Sequence, residues 1–237
     1  MKSPNAFSAL LDIYISPSKA FNGVEHAKGW SWLAFIAISL VSMASIYIFY
    51  STVDMQFLIN EQFAAASVDA TIGEQKMIRQ SIEQNAEIQV WISMISIVLG
   101  TAIIAAIMAV YYMLIAKLDP ESEHSYGAWY GFTIWTIMPN VVLSLGTIAL
   151  VLSASTDQIS QTAVFNFDSI NQLVVGLEPG SAFYTLLESL KLSSLWGIGL
   201  GMVGLKCWTN FSTNKALLFS ALPTLVIFGI WAIIAAM

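Results

Sequence analysis

Polar side chains set inside long apolar stretches are where this 237-residue sequence could do chemistry. A polar group in lipid is costly and is retained for a reason. The third such stretch holds Thr133, Thr136, Pro139, Asn140 and Ser144. Pro139 removes a backbone donor and crowds the preceding turn, so a helix there should kink and free a carbonyl near Trp135. Asn140 carries both donor and acceptor atoms. It can bond that carbonyl or a neighbouring helix; alternatively, the kink and Asn140 line a polar cavity. Glu188 and Lys191 are spaced i, i+3 just before the fourth stretch and read as an ion pair on one helix face. His26 and His124 both lie near carboxylates. His124 follows Asp119, Glu121 and Glu123, a solvated acidic loop with a divalent-ion site as the alternative. Cys207 is the single cysteine, which excludes an intrachain disulfide. The sequence has no His-Glu-x-x-His, no Gly-x-Ser-x-Gly and no phosphate-binding Gly-rich loop with Lys. The expectation is a non-enzymatic protein with no cofactor and no metal.

The elements that must position these residues are five apolar stretches, at about 30–50, 90–116, 131–154, 192–208 and 216–237. A spanning helix needs roughly 20 mostly apolar residues. Water cannot satisfy backbone groups inside lipid, so such segments are helices. The predicted class is an all-α integral membrane protein, a bundle of five transmembrane helices (residues 30–237) behind a short N-terminal segment (residues 1–29). Charged residues make up only 10% of the chain, against about 25% in soluble domains. Eight Trp and eight Tyr suit two membrane interfaces. The net charge of -6 and the scattered cations exclude nucleic acid as a partner. The first span reads as an uncleaved insertion signal.

Charge sets the orientation. Lys2, Lys19, Lys28, Lys117, Lys206 and Lys215 fall on one side of five spans, and Lys76, Arg79 and Lys191 on the other. The positive-inside rule puts the first side, with the N-terminus, in the cytoplasm and the C-terminus outside. The second side holds ten acids, Asp69 among them, and two long loops at 51–89 and 155–191. Met77, Ile78 and Ile82 give the first loop helical spacing, as an extension of span two. Apolar pieces such as Leu173 and Val174 make the second loop a cap on the membrane, ended by a turn at Pro179 and Gly180.

In the N-terminal segment, Phe7, Leu10, Leu11 and Tyr14 repeat at i, i+3, i+4 and i+7. They form one face of an interfacial helix. Ser16-Pro17 starts a second short helix carrying Phe21. With Pro17 and Phe21 that face reads as a structural collar, or as a docking surface for a cytoplasmic protein partner. In span four, Gly197 and Gly201 stand four apart, and Gly204 follows. Small residues at this spacing let helices approach closely. Span two offers Ala102, Ala105, Ala106 and Ala109, so spans two and four are expected to pack together, within one chain or across a homo-oligomer.

The run from Tyr14 to Phe21 (Tyr-Ile-Ser-Pro-Ser-Lys-Ala-Phe) shortly precedes span one. Ser125 to Tyr130 (Ser-Tyr-Gly-Ala-Trp-Tyr) leads into a span with Pro139 near its middle. With five spans and an inside N-terminus, this layout resembles bacterial members of the Yip family, the membrane domains of Ypt/Rab-interacting proteins. Eukaryotic members carry a longer cytosolic N-terminal region, and some an Asp-Leu-Tyr-Gly-Pro motif, both missing here, and they are associated with Rab GTPases, trafficking and membrane shaping. The resemblance implies no catalytic residues. It implies a protein of the bacterial cytoplasmic membrane that organises membrane or recruits partners; the alternative is a transporter or channel using the kinked third span.

Overall fold

The computed structural model describes residues 1–68 and 70–237; Asp69, counted above among the second side's acids, lies outside the described residues. Two short helices come first, α1 (Ala6–Ile15) and α2 (Pro17–Val24). The Asn5 side chain accepts from the Ser8 N–H at 2.8 Å and starts α1. The residue before a proline disfavours the helical region, and α1 stops at Ile15, two residues before Pro17 opens α2. Then come α3 (Trp30–Thr52), α4 (Met55–Ala66), α5 (Ile72–Asn85) and α6 (Gln89–Ala116). The third apolar stretch is interrupted, as α7 (Tyr126–Thr136) and α8 (Pro139–Ser153). After it follow α9 (Gln161–Phe165), a single π turn (Asn171–Val175), α10 (Tyr184–Ser189), α11 (Leu192–Trp208) and α12 (Thr213–Ala235).

Among the described residues four helices are long and apolar enough to cross a membrane: α3, α6, the interrupted pair α7–α8, and α12. The 17-residue α11 is shorter. Among the described residues there is no strand, only one antiparallel bridge between Ser169 and Lys191.

Short connections gather at one end of the molecule, with α1 and α2; α4, α5, α9 and α10 gather at the other. We call these the short-loop and long-loop ends. The core at the short-loop end is aromatic. Phe132 packs against Phe21, Tyr112, Trp129 and Trp208 with ring centroids 4.9–5.2 Å apart. Gly204 makes this possible, since a Cβ there would come within 2.5 Å of Phe132 and 2.8 Å of Phe21. A smaller core around Phe49, Leu58, Val151 and Val164 sits at the long-loop end.

Packing among the long helices departs from the expected pairing of spans two and four. The main neighbours of α6 are α7 and α3, while α11 packs on α12, α2 and α7. The small residues explain it: Ala105 and Ala109 of α6 are fully buried in the core that α7 fills, and of the α11 glycines Gly201 alone comes near α6, at Tyr112 Oη. The α5 helix is also no extension of α6, because a three-residue turn at 86–88 separates them. Its polar surface buries nothing, and a capping box between Thr71 and Glu74 holds its start.

Candidate functional site

The site is built around the interruption at Ile137 and Met138. Without a proline N–H the helical ladder must close otherwise. It tightens into bonds of the i to i−3 type. Met138 N–H donates to Trp135 O at 3.4 Å, Asn140 N–H to Ile137 O at 3.1 Å and Val141 N–H to Met138 O at 3.0 Å. Tyr14 Oη of α1 donates to Met138 O at 2.8 Å, and its ring meets Trp196 edge-on at 5.7 Å. The Trp135, Ile137 and Met138 carbonyls therefore have donors, and none of these is the Asn140 side-chain amide. Asn140 itself is exposed and borders two clefts.

The first cleft, about 310 Å³, lies toward the short-loop end, where Tyr112, Thr133, Thr136, Ser220 and Thr224 line it with Asn140. The second, about 340 Å³, lies toward the long-loop end, and Thr101, Ser144, Thr147 and Lys191 line it with Asn140. Ser193 and Ser194 border both. The lining comes from α6, α8 and the start of α11 in both clefts, with α7 and α12 in the first and α3, Phe165, Asn166 and Lys191 in the second. Hydroxyls dominate, and several are turned back on their own chain: Thr133 Oγ1 donates to Trp129 O at 3.0 Å and Thr136 Oγ1 to Thr133 O at 2.7 Å.

Lys191 is the one charged side chain among the residues lining the second cleft. It does not pair with Glu188 as its spacing suggested. The helix ends at Ser189 and Leu190 is extended, so the two side chains leave on different elements. Lys191 Nζ donates to Phe165 O at 2.8 Å. Glu188 is buried and accepts from Ser169 Oγ at 3.2 Å, Asn171 Nδ2 at 2.9 Å and Gln172 Nε2 at 2.6 Å. Burial pushes the Lys191 ammonium below its usual pKa, and nearby Asp168 and Glu188 push it back. Asp168 Oδ2 accepts from the Ser193 N–H at 3.2 Å and from Ser193 Oγ at 2.7 Å, which caps α11 from a distant loop.

Gly197, Gly201 and Gly204 of α11 face three different neighbours, and Gly199 faces open space. A Cβ at Gly197 would approach Thr136 O at 3.3 Å, one at Gly201 would collide with Ser220 Oγ and lie 3.0 Å from Tyr112 Oη, and Gly204 faces Phe132 and Phe21. The expected docking face divides. Phe7 and Leu11 are exposed at 72% and 69%, Leu10 and Tyr14 pack half-buried against the core, and Pro17 is half-buried. Phe21 is no docking residue: it is fully buried, and its carbonyl accepts from Trp208 Nε1 at 3.1 Å. The acidic loop is not uniformly solvated either. Asp119 is buried and accepts the Asn210 N–H at 2.7 Å. That bond chiefly holds its carboxyl below the ordinary 3.8. His124 lies 3.2 Å from Glu25 and stacks on Trp208 at 4.8 Å.

The sequence reading overlooked Pro223, although it stands in plain view inside the fifth apolar stretch. There α12 continues unbroken. The carbonyl one turn earlier, Phe219 O, accepts from Tyr111 Oη at 2.6 Å.

No curated protein and no solved structure matches the chain significantly. The family model described as the Yip1 domain matches residues 11–234, nearly the whole sequence. The chain belongs to the Yip1 domain family.

Proposed function

We propose that this is a non-enzymatic, five-span protein of a bacterial cytoplasmic membrane that organises the bilayer around it, using the clefts at Asn140 to hold the polar part of a lipid. The N-terminus lies inside and the C-terminus outside, as the excess of lysines at the short-loop end favours. The fifth span is α11, whose 17 residues rise about 25 Å and sit at the lower limit for crossing. The observation that carries the reading is the exposed Asn140 amide between two hydroxyl-lined clefts among apolar helices. Polar lining open to lipid is costly unless something polar occupies it. Phe7, Leu11 and Ile15 form an exposed apolar row on α1, which supports anchoring that helix in the interface.

A transporter using the broken third span is the second reading, and the same clefts favour it. Photo-crosslinking separates the two. A phospholipid with a photoreactive group near its headgroup, added to membranes containing the protein, should label α8 and α11 at the clefts. Adducts confined to the outward apolar faces of α6 and α12 would contradict lipid holding.

A further inference from the structure

We infer that the two clefts form one polar track along which a phospholipid headgroup crosses the middle of the bilayer, so that the protein equilibrates phospholipid between leaflets without an energy source. The inference rests on the proposed lipid-holding role and adds to it a direction of movement. Thr133 in the first cleft and Thr147 in the second stand 14 positions apart in sequence, about 21 Å of helix rise, against roughly 30 Å of hydrocarbon. Between them Asn140, in the middle of the broken span, and Ser193 and Ser194, at the start of α11, border both clefts, so polar lining is continuous from one cleft to the other. A headgroup crossing lipid alone loses its hydrogen bonds with water. Here the Asn140 amide and the Ser194 and Thr224 hydroxyls replace them while the acyl chains stay in the bilayer through the open side; the Thr133, Thr136 and Thr147 hydroxyls donate to carbonyls and add only acceptor lone pairs. The Asn140 amide is not used in closing the helix break, which leaves it free for a passing phosphate or glycerol oxygen. Lys191 stands at the long-loop end of the track, held by one bond to Phe165 O, with ammonium donors left for a phosphate. Asp168 and Glu188 do not line the track: Asp168 Oδ2 accepts from Ser193 while its Oδ1 is buried without a partner, and the Glu188 oxygens accept from Ser169, Asn171 and Gln172.

The test uses the full chain in phosphatidylcholine–phosphatidylglycerol vesicles with a trace of headgroup-labelled fluorescent phospholipid and an impermeant reductant. Without protein only the outer-leaflet label is bleached. With the protein nearly all the label should be bleached. Asn140→Leu should slow the second phase about tenfold, the effect of about 1.4 kcal/mol of barrier, with unchanged thermal stability, and Asn140→Gln should restore much of the rate. Leu152→Ala, on the lipid-facing side of α8, should leave it unchanged. Bleaching that stops at the outer leaflet, or an equal rate in Asn140→Leu, would overturn the inference. Bleaching of a water-soluble dye trapped in the vesicles would also overturn it, in favour of a pore. If crosslinking places lipid in the clefts while bleaching stops at the outer leaflet, lipid holding stands and movement falls; if neither occurs, both fall.

Discussion

α7 buries seven of its eleven residues, whereas α8, on the other side of the break, buries three of fifteen. Both halves are apolar, and hydropathy alone does not separate them. The neighbours do. Gly204, Phe21, Tyr112 and Trp208 close around α7 at Phe132. α8 packs mainly on α3 and turns Asn140, Ser144 and Thr147 toward the clefts. One half of the broken span therefore serves chiefly as a packed wall, giving only the buried Thr133 and Thr136 to the first cleft, and the other carries the exposed Asn140. Changes in α7 should register as lost stability, and changes on the cleft side of α8 as lost function.

The largest effect is expected at the wall. Phe132→Ala should cost about 3–5 kcal/mol, because five aromatic rings meet there, and denaturation in detergent would measure it. Val142→Ala on α8 is half-exposed and should cost well under that; equal losses would erase the contrast between the halves. Next comes Gly201→Leu, which forces a side chain onto Ser220 and Tyr112. Overpacking of this kind costs about 1–3 kcal/mol, and Ser220→Gly in the same chain should recover part of it. No recovery would mean that α11 and α12 do not meet at this point.

A smaller effect concerns the short-loop end, where Asp119 ties two connections through Asn210. Its carboxyl pKa is lowered on folding. Its contribution is therefore present above the ordinary 3.8 and lost as pH falls through the lower folded value. Asp119→Asn should flatten the acid side of the stability curve measured between neutral pH and strong acid. An unchanged acid limb would show that the bond does not contribute.

The apolar segments were legible because hydropathy is local, and the helix break falls where Pro139 puts it. The rest depended on distant partners. Phe21 looked like a surface aromatic on a short helix, but its socket is made by Gly204, far along the chain. Glu188 and Lys191 had helical spacing with no glycine or proline between them, yet the helix ends because Ile170 N–H donates to Leu190 O, and Leu192 N–H to Asp168 O, across a bridge. Asn140 was expected to serve the break; Tyr14, more than a hundred residues earlier, reaches it instead. That exchange leaves the amide to the clefts.

The account stands on Asn140 facing a hydrated polar cleft rather than lipid or dry packing. Cysteine reactivity reads this directly, because only a thiolate reacts and thiolates do not form in an apolar environment. Asn140→Cys and Leu152→Cys, each in a Cys207→Ser chain, should be treated in membranes with a small water-soluble thiol reagent. Asn140→Cys should be labelled readily, while Leu152→Cys on the apolar face resists. If Asn140→Cys is as unreactive as Leu152→Cys in a protein of normal stability, the cleft is not hydrated and the account is wrong.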